Sequence, residues 1–589
     1  MSADPEEREW LSETDLRFGQ SLMRFDPTAD EMMRLLGAAV CSSVRAGHVC
    51  FTEELAPPKM RASIRAAICH RGTRLLGDGN SVTPLITDGS GRVYLHRYYQ
   101  RERQVAAALH ARATIAPNPI ASSTLAAVNR LFGSDPGDES RAVAIRALES
   151  NLLVITGGPG SGKTTTVVRL LALLAEDAQQ RGLRSLRYQL LAPTGKAAAR
   201  LGEAIRAGIS ALDTSHELKA IIPTDAKTVH RALDWSARGR PRFDAQRPWT
   251  ADLVVVDETS MVDLELMHCI LEATRKRARL VLLGDPNQLA SVEAGSVLAD
   301  LAHGADRFRP VTARRLHDYG VKSLRADPAA TPIDDTVLAL KRSHRYAKRG
   351  GIARLARAVI DGDAQAAMAV LEDPDVDDVE IRPARRDELI GAACELHLRV
   401  CREIEPEQRL ATLTDSKVIC ARRRGPLGVE SINRDVRRRI GAPALAAFDG
   451  QPMLVRKNDP RVDLYNGDLG VVDQAVEKVW FPSTAGSLHA VALALVPPHD
   501  DAFAMSVHQS QGSEFDQVAV VLASEDSNLA RREVVFTALT RARRRVVIYG
   551  TPQELRAAIE QRVVRASGLR DRLHEAERGI VTSNAERRE

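Results

Sequence analysis

The amino-acid sequence predicts an α/β protein with two parallel sheets in tandem, a helical N-terminal domain and a small all-β insertion. From residue 152 to residue 549, short β-branched or apolar runs alternate with helical stretches. This alternation is typical of parallel sheets covered by helices. The chain has 589 residues, several times the usual domain size of roughly 100 to 200 residues, so several domains are expected. Between residues 441 and 505 short strands interrupt the alternation, which indicates the insertion.

The predicted domains follow this pattern along the chain. Residues 1–115 form a mostly helical N-terminal domain, residues 116–330 hold the first sheet, and residues 331–589 hold the second sheet, with the insertion at 441–505. Residues 302–335 are polar with scattered Pro and Gly, so we expect them to connect the two halves. The predicted strands are residues 152–156, 189–192, 253–257 and 280–284 in the first sheet, and 417–421, 518–523 and 545–549 in the second.

Composition excludes several classes of protein. Hydrophobic residues make up 44% and charged residues 27% of the chain, and no stretch approaches the ~18 uncharged apolar residues of a membrane span. The acidic start MSADPEEREW does not resemble a secretory signal, so we expect a cytoplasmic protein. The seven cysteines form no CxxC pair, which argues against a disulfide framework or a zinc site. The net charge of +5 only leans toward an anionic partner.

A glycine-rich segment between the first strand and a helical run is the strongest chemical signal. Its glycines let backbone N–H groups surround a phosphate, and the start of the helix adds positive potential. A lysine here reaches the β and γ phosphates of ATP, and a threonine hydroxyl ligates Mg²⁺. The predicted nucleotide-binding residues are Gly157, Gly158, Pro159, Gly160, Ser161, Gly162, Lys163, Thr164 and Thr165.

Polar residues follow two further strands of the first sheet. The apolar run at residues 253–256 ends in Asp257 and Glu258, so two carboxylates stand at the tip of a buried strand. We expect Asp257 to hold magnesium and Glu258 to orient or deprotonate the attacking water, which favours hydrolysis over transfer. Gln288 follows the next strand in LGDPNQL. It is a candidate sensor of the γ-phosphate, although Gly-Asp-Pro-Asn alone is simply a turn.

Ten segments in fixed order carry a resemblance to a known family. The chain resembles superfamily one helicases of the 5′ to 3′ type, and among them the RecD family, the α subunits of the RecBCD exonuclease V complex. The resemblance implies tandem RecA-like motor domains and an SH3-like insertion. The segments are TGGPGSGKTTT at 156–166, LAPTGKAAARL at 191–201, KTVHRAL at 227–233, VVVDETSMVD at 254–263, LGDPNQLASVEAGSVL at 283–298, KRSHRY at 341–346, GPLGVESIN at 425–433, LYNGDLGVV at 464–472, SVHQSQGSEFD at 506–516 and VVFTALTRAR at 534–543.

The resemblance implies roles for individual residues. Lys163, Glu258 and Gln288 match catalytic positions, while Arg345 and Arg541 match the two arginines that the family brings from the second sheet onto the nucleotide. Such arginines stabilise the charge that develops as phosphate is cleaved. Closure of the cleft and catalysis would then be one event. The implied ligands of magnesium are Thr164 and Asp257, and the implied DNA contacts are Pro193, Thr194, Gly195, Thr228, His230, His508, Gln511 and Ser513.

The resemblance also implies partners and leaves alternatives open. It implies a heterotrimer with RecB-like and RecC-like subunits, in which residues 1–115 dock on the partners and the substrate is single-stranded or end-opened double-stranded DNA. A regulatory subunit that binds ATP without travelling along DNA is a second hypothesis, and a free-standing helicase is a third. The family usually has a glutamine that reads adenine where this chain has Ser140. The side chain that would enforce strict selectivity for adenine is therefore absent at this position.

Overall fold

The computed structural model describes most of the chain. The described residues are 10–69, 73–117, 119–135, 138–235, 239–322, 324–342, 350–459, 461–482, 488–522 and 531–575. Within these ranges, no helix combines the length and the apolar character that crossing a bilayer requires.

The N-terminal region is mostly helical, as predicted. Ser12 caps its first helix, because its hydroxyl accepts the Asp15 N–H and the Asp15 carboxylate accepts the Ser12 N–H in return. A small three-stranded sheet completes the region, with β2 between β1 and β3. The helices are Glu13–Leu22, Glu31–Arg45, Arg61–Cys69 and His96–Ala113, and the strands are β1 Leu76–Gly77, β2 Leu85–Thr87 and β3 Val93–Leu95.

The first large sheet is six-stranded and entirely parallel. Its order is β11-β4-β8-β7-β5-β6, and its central strand β7 is buried along its whole length, as expected when helices cover both faces of a sheet. The strands are β4 Leu152–Gly157, β5 Tyr188–Ala192, β6 Lys227–Thr228, β7 Leu253–Val256, β8 Arg279–Gly284 and β11 Val337–Leu340, and β9 Arg307–Phe308 pairs with β10 Arg325–Ala326 beside them. The helices are Ser122–Phe132, Glu139–Glu149, Lys163–Gln180, Gly195–Ser210, His216–Ile221, Val229–Ala232, Leu264–Ala273, Val297–Ala302 and Pro310–Asp318.

The second large sheet is five-stranded and also parallel. Its order is β12-β21-β20-β13-β19. The insertion is a separate five-stranded antiparallel sheet of order β17-β16-β15-β14-β18. The strands are β12 Val379–Arg382, β13 Ser416–Cys420, β14 Pro452–Val455, β15 Leu469–Asp473, β16 Lys478–Pro482, β17 Leu488–Ala492, β18 His499–Asp501, β19 Ala504–Ser506, β20 Phe515–Val521 and β21 Ala542–Tyr549. The helices are Gly351–Asp361, Ala364–Glu372, Arg386–Arg402, Pro406–Thr412, Val429–Arg439, Arg532–Leu539 and Pro552–Glu560. The predicted fold class is confirmed: two RecA-like α/β domains, a helical N-terminal region and an all-β insertion.

The division between the two α/β domains differs from the prediction. Strand β11 pairs with β4, so the first sheet continues beyond residue 330. Residues 302–335 are not a simple connector either, because Phe308 and Leu316 are fully buried against the first sheet. The segment reads as polar because it contains buried charges: Asp335 is 1% exposed and accepts hydrogen bonds from Arg309 and Thr312 at 2.7 Å each. Because these buried charges are paired, the segment lies in the core although its sequence lacks an apolar pattern.

The C-terminal segment leaves the second domain, to which the prediction assigned it. After helix Pro552–Glu560 the chain returns to the N-terminal region, where the Ala566 carbonyl accepts the Val49 N–H at 2.9 Å. Arg572 donates to the carboxylate of Glu102, which is fully buried, at 2.7 Å. Residues 561–575 therefore tie the C-terminal part of the described chain to its N-terminal region.

Candidate active site

A cleft of about 1070 Å³ lies where the carboxyl ends of the first sheet face the second domain. Open α/β sheets bind ligands at this edge. The lining residues come from both α/β domains. From the first they are Asp138, Glu139, Ser140, Pro159, Gly160, Ser161, Gly162, Lys163, Thr164, Thr165, Thr166, Arg169, Ala197, Arg200, Leu201, Glu203, Ala204, Ala207, Asp257, Glu258, Gln288, Leu340 and Arg342, and from the second Gly512, Glu514, Arg541 and Arg543.

The glycine-rich segment forms a phosphate loop between β4 and helix Lys163–Gln180. Gly160 and Gly162 have φ angles of +73° and +83°, which glycine adopts without strain. These conformations turn the loop back on itself at the start of the helix. The Ser161 hydroxyl is buried without a hydrogen-bond partner among the described residues. The loop therefore combines backbone donors, a free hydroxyl and the positive end of a helix, the elements of an anion site.

Lys163 lies over this loop. Its ammonium donates to the Gly157 carbonyl at 2.5 Å and to the Gly158 carbonyl at 3.0 Å. These contacts hold the positive charge at the floor of the cleft. From there the ammonium can pair with a phosphate that sits in the loop.

The two predicted carboxylates stand at the end of β7. The Glu258 N–H donates to the Asp257 carboxylate at 2.8 Å, and Glu258 has a φ of +50°, a left-handed conformation that is uncommon outside glycine. Burial raises the pKa of Asp257, and the neighbouring Glu258 charge raises it further. A strained backbone and two adjacent acids at one strand tip are features of functional sites rather than of stable packing.

Gln288 follows β8 and is held by residues from both domains. Its amide nitrogen donates to the Asp285 carboxylate at 3.3 Å, and its amide oxygen accepts from Arg541 at 3.4 Å. Asp285 is 1% exposed, and burial raises its pKa while Lys163 opposes the rise. Asp285 is not among the predicted site residues, although it is the first polar residue after β8, just as Asp257 is after β7. It orients the predicted sensor.

The structure places Arg541 in the same cleft as Lys163, and only 4% of the residue is exposed. Its guanidinium donates to the Thr537 carbonyl at 3.0 Å and to the Ser513 carbonyl at 3.3 Å, besides Gln288. Arg345, the other arginine implied by the resemblance, lies outside the described residues. One of the two predicted arginines thus lines the cleft that the phosphate loop also lines.

An ion network that the sequence analysis missed joins the domains across the cleft. Glu514 of the second domain accepts from Arg200 of the first domain at 3.4 Å and from Arg543 of its own domain at 3.3 Å. Burial lowers the pKa of Arg200. Arg200 belongs to the family segment at 191–201, so the sequence does mark it as part of a family motif. No local pattern connects it with Glu514, which lies 314 residues later in the chain.

The predicted DNA contacts of the first domain lie at one edge of its sheet. Thr194 and Thr228 each cap a helix, because their hydroxyls accept the Ala197 and Arg231 N–H groups at 3.2 Å. His230 is exposed, and its ring centroid lies 5.2 Å from that of Trp235. Pro193 and Gly195 flank Thr194 in the turn after β5. This edge offers polar groups and aromatic rings side by side.

The predicted DNA contacts of the second domain are placed less uniformly. His508 is exposed, and Gln511 is half-buried with its amide donating to the Leu289 carbonyl at 3.0 Å. Ser513 is 1% exposed, and its hydroxyl contacts the Lys196 ammonium of the first domain. Ser513 therefore lies in the domain interface rather than on an open surface, contrary to the expectation that it contacts DNA.

The β insertion also reaches the first domain at the predicted DNA edge. The Tyr465 ring packs on Gly195, where an added Cβ would lie 2.8 Å from the Tyr465 Cβ. The Tyr465 hydroxyl accepts from Arg231 at 3.2 Å. The structure thus places two aromatic rings at this edge, those of Tyr465 and Trp235.

Comparisons with known proteins agree with this architecture. A family model described as AAA domain matches residues 139–294, and one described as UvrD-like helicase C-terminal domain matches residues 501–549. The RecBCD enzyme subunit RecD of Mycolicibacterium smegmatis is 38% identical, over 96% of this chain and 98% of that protein. The RecBCD enzyme subunit RecD of Haemophilus influenzae is 33% identical, over 73% of this chain and 72% of that protein.

Two more distant proteins are similar over much of the chain. The ATP-dependent RecD2 DNA helicase of Deinococcus radiodurans is 29% identical over 82% of this chain, which spans 59% of that protein. A crystal structure of Pif1 helicase from Bacteroides in complex with ADP-AlF3 and ssDNA is 16% identical, with a TM-score of 0.37, over 74% of this chain and 94% of that chain.

Proposed function

The chain is a superfamily one helicase of the RecD family, and on that premise we propose that it is a 5′ to 3′ motor on single-stranded DNA. In this proposal it serves a RecBCD-type helicase–nuclease that processes double-strand DNA ends for recombinational repair. The observation that carries the proposal is the shared cleft, with Lys163 on one domain and Arg541 on the other. A nucleotide held by both would couple its own cleavage to movement of the domains.

Magnesium is the cofactor that the cleft suits. Asp257 and Thr164 line it beside Lys163, and they offer the carboxylate and hydroxyl oxygens that Mg²⁺ prefers. The raised pKa of Asp257 marks a carboxylate that a nearby cation would stabilise. When bound, the ion would neutralise charge on the β and γ phosphates.

The chain's own residues supply the remaining steps of hydrolysis. The phosphate loop holds the triphosphate with its N–H groups, and Lys163 pairs with the β and γ oxygens. Glu258 accepts a hydrogen bond from the attacking water and takes its proton as the water oxygen bonds to the γ phosphorus. The bond from γ phosphorus to the bridging oxygen breaks, and ADP leaves with that oxygen. Arg541 stabilises the charge on the transferring phosphoryl group, and Gln288 responds to its presence.

Movement along DNA follows from the placement of the two sets of DNA candidates. Thr194, Thr228 and His230 belong to the first domain, and His508 and Gln511 belong to the second. When ATP draws the domains together, these two surfaces approach each other along the strand. When the γ-phosphate leaves, Arg541 loses its anion and the surfaces separate. Polar contacts to phosphate and sugar suit movement that is indifferent to base sequence.

We assign RecB-like and RecC-like partners by family membership. A RecB-like subunit would supply the motor of opposite polarity and the nuclease, and a RecC-like subunit the scaffold. The substrate would be single-stranded and end-opened double-stranded DNA, met in the cytoplasm. In the N-terminal region Val49, Cys50, Tyr94 and Tyr98 are buried, so the docking surface of that region would be formed by its exposed residues.

Strand displacement by the reconstituted complex tests the proposal. The full-length chain is assembled with partner subunits whose RecB-like motor carries a substitution of its own phosphate-loop lysine, so that the remaining motor is this chain. We expect ATP-dependent displacement from a duplex with a 5′ tail, and its loss in Lys163→Gln. The matched control is Lys276→Gln, which changes an exposed lysine away from the cleft and should behave as wild type.

Other outcomes identify the alternatives. Activity that persists in Lys163→Gln would contradict the assignment of the motor to this cleft. ATP binding without displacement from either tail would favour a regulatory subunit. A wild-type chain that does not assemble with the two partners but displaces 5′-tailed strands alone would favour a free-standing helicase.

A further inference from the structure

The loop that follows β8 joins the two motor domains physically. Its Leu289 side chain is 6% exposed and packs among core residues of the second domain, including Leu355, Val535 and Phe536. Leu289 itself belongs to the first domain and directly follows Gln288, the predicted γ-phosphate sensor. An apolar side chain inserted into a close-packed core cannot shift without moving that core. The position of the sensor is therefore tied to the second domain.

Two hydrogen bonds fix the Leu289 backbone at the same place. Its N–H donates to the Thr537 hydroxyl at 3.0 Å, and its carbonyl accepts from the Gln511 amide at 3.0 Å. Thr537 is fully buried. The Thr537 hydroxyl and the Gln511 amide thus both belong to the second domain. Gln511 is one of the candidate DNA contacts.

The backbone of Thr537 contacts the catalytic arginine. Arg541 lies one helical turn later, and its Nε donates to the Thr537 carbonyl at 3.0 Å. Another nitrogen of the same guanidinium donates to Gln288 at 3.4 Å. Thr537 therefore holds the sensor loop with its side chain and Arg541 with its backbone, which closes a ring of contacts through Gln288 and Leu289.

We propose that Thr537 is a positioning residue that couples the γ-phosphate sensor to the arginine and, through Leu289, to the DNA contact Gln511. The inference rests on the proposed function and deepens it. A phosphate that draws Gln288 and Arg541 together pulls the Leu289 peptide with them. The Leu289 carbonyl then changes its hold on Gln511. In the opposite direction, a strand that engages Gln511 shifts Leu289 and aligns Gln288 with the phosphate.

The Thr537 hydroxyl can be removed by substitution with little change in the shape of the side chain. Valine has nearly the shape of threonine but leaves the Leu289 N–H buried without an acceptor, whereas serine keeps the hydroxyl and removes only a methyl group. A purely structural Thr537 would lower stability in both variants without separating basal from DNA-stimulated hydrolysis. If Thr537 couples the sensor to the DNA contact, loss of its hydroxyl lowers DNA-stimulated hydrolysis more than basal hydrolysis.

The test compares ATP hydrolysis with and without single-stranded DNA in the full-length chain, assembled with partners whose own motor is inactivated. In Thr537→Val we expect the KM for ATP to stay within about twofold of wild type and basal turnover to fall less than DNA-stimulated turnover. The stimulation by DNA should fall roughly tenfold, since a lost buried hydrogen bond changes an equilibrium by about that factor. Thr537→Ser should keep most of the stimulation. The control Thr336→Val removes another fully buried hydroxyl, one that donates to the Ile333 carbonyl, and should keep full stimulation.

Each outcome either supports or overturns the coupling role of Thr537. Full stimulation in Thr537→Val, or equal losses in the valine and serine variants, would overturn the coupling role while leaving the motor intact. Wild type that shows no stimulation would instead overturn the proposed function, and the coupling role with it. If Thr537→Val does not fold, Thr537→Ala and Thr537→Ser make the same comparison, because both lack the methyl group and differ only in the hydroxyl.

Discussion

Replacing Arg541 by lysine separates the charge of this side chain from its geometry. The guanidinium donates to several acceptors at once, among them the carbonyls of Thr537 and Ser513 and the amide oxygen of Gln288, at 3.0, 3.3 and 3.4 Å. A lysine keeps the positive charge but has no planar fork. It can reach a phosphate or keep these contacts, but it cannot do both. We therefore expect Arg541→Lys to bind ATP and to hydrolyse it poorly.

The size of the defect follows from where the contact acts. An arginine that stabilises a transferring phosphoryl group contributes about 10³ to 10⁵ in turnover. Because lysine keeps the charge, the lower end applies, a loss of about 1000-fold or ~4 kcal/mol of transition-state stabilisation. The ground-state contacts of ATP belong mainly to the phosphate loop, so the KM should change less than about threefold.

Steady-state hydrolysis at saturating single-stranded DNA measures both parameters. The matched control is Arg544→Lys, three residues later, whose side chain is 79% exposed and pairs with Asp516 at 3.5 Å. It should retain wild-type turnover. A turnover within tenfold of wild type in Arg541→Lys, or a defect confined to KM, would refute the role assigned to Arg541.

Two further predictions address the base pocket and the domain interface. Ser140 lines the cleft and donates its N–H and hydroxyl to the Asp138 carboxylate at 2.8 Å each, so the kcat/KM values for ATP and GTP should differ by less than about tenfold. Ser140→Gln should increase the preference for ATP, and an unchanged ratio would contradict this. Burial lowers the pKa of Lys196 to about 7. Below pH 7 the buried ammonium is charged and destabilises the folded state fully, and this cost disappears as the pH rises from 7 toward the ordinary pKa of lysine. The Tm of wild type should therefore rise relative to that of Lys196→Met between pH 7 and 10. If the two Tm values change in parallel with pH, the pKa of Lys196 is not lowered.

The parts of the site that the sequence predicted are those built from neighbouring residues. A strand, a glycine-rich turn and a helix start follow one another at residues 152–180, so local chemistry defines the phosphate loop. Asp257 and Glu258 follow β7 in the same way, because the carboxyl ends of parallel strands meet at one edge. Arg541 has no such local signal. Its placement opposite Lys163 was expected only from the order of motifs in the family.

Contacts between distant segments were invisible to the sequence analysis. Leu289 and Thr537 are 248 residues apart, and neither has a local pattern that names its partner. Leu289 looks like an ordinary apolar residue after a turn. Likewise, β11 lies far from β4 in the chain, so the first sheet appeared to end too early. Pattern reading detects periodicity within an element, and it does not reveal which elements meet.

A structure of the full-length chain with a nonhydrolysable ATP analogue and a short oligonucleotide tests whether both α/β domains hold the same nucleotide. We predict that the γ-phosphate lies within ~3 Å of both the Lys163 ammonium and the Arg541 guanidinium, with the two domains drawn together around it. An analogue bound by the first domain alone, with Arg541 still held by the Thr537 and Ser513 carbonyls, would show that the two domains do not share the nucleotide.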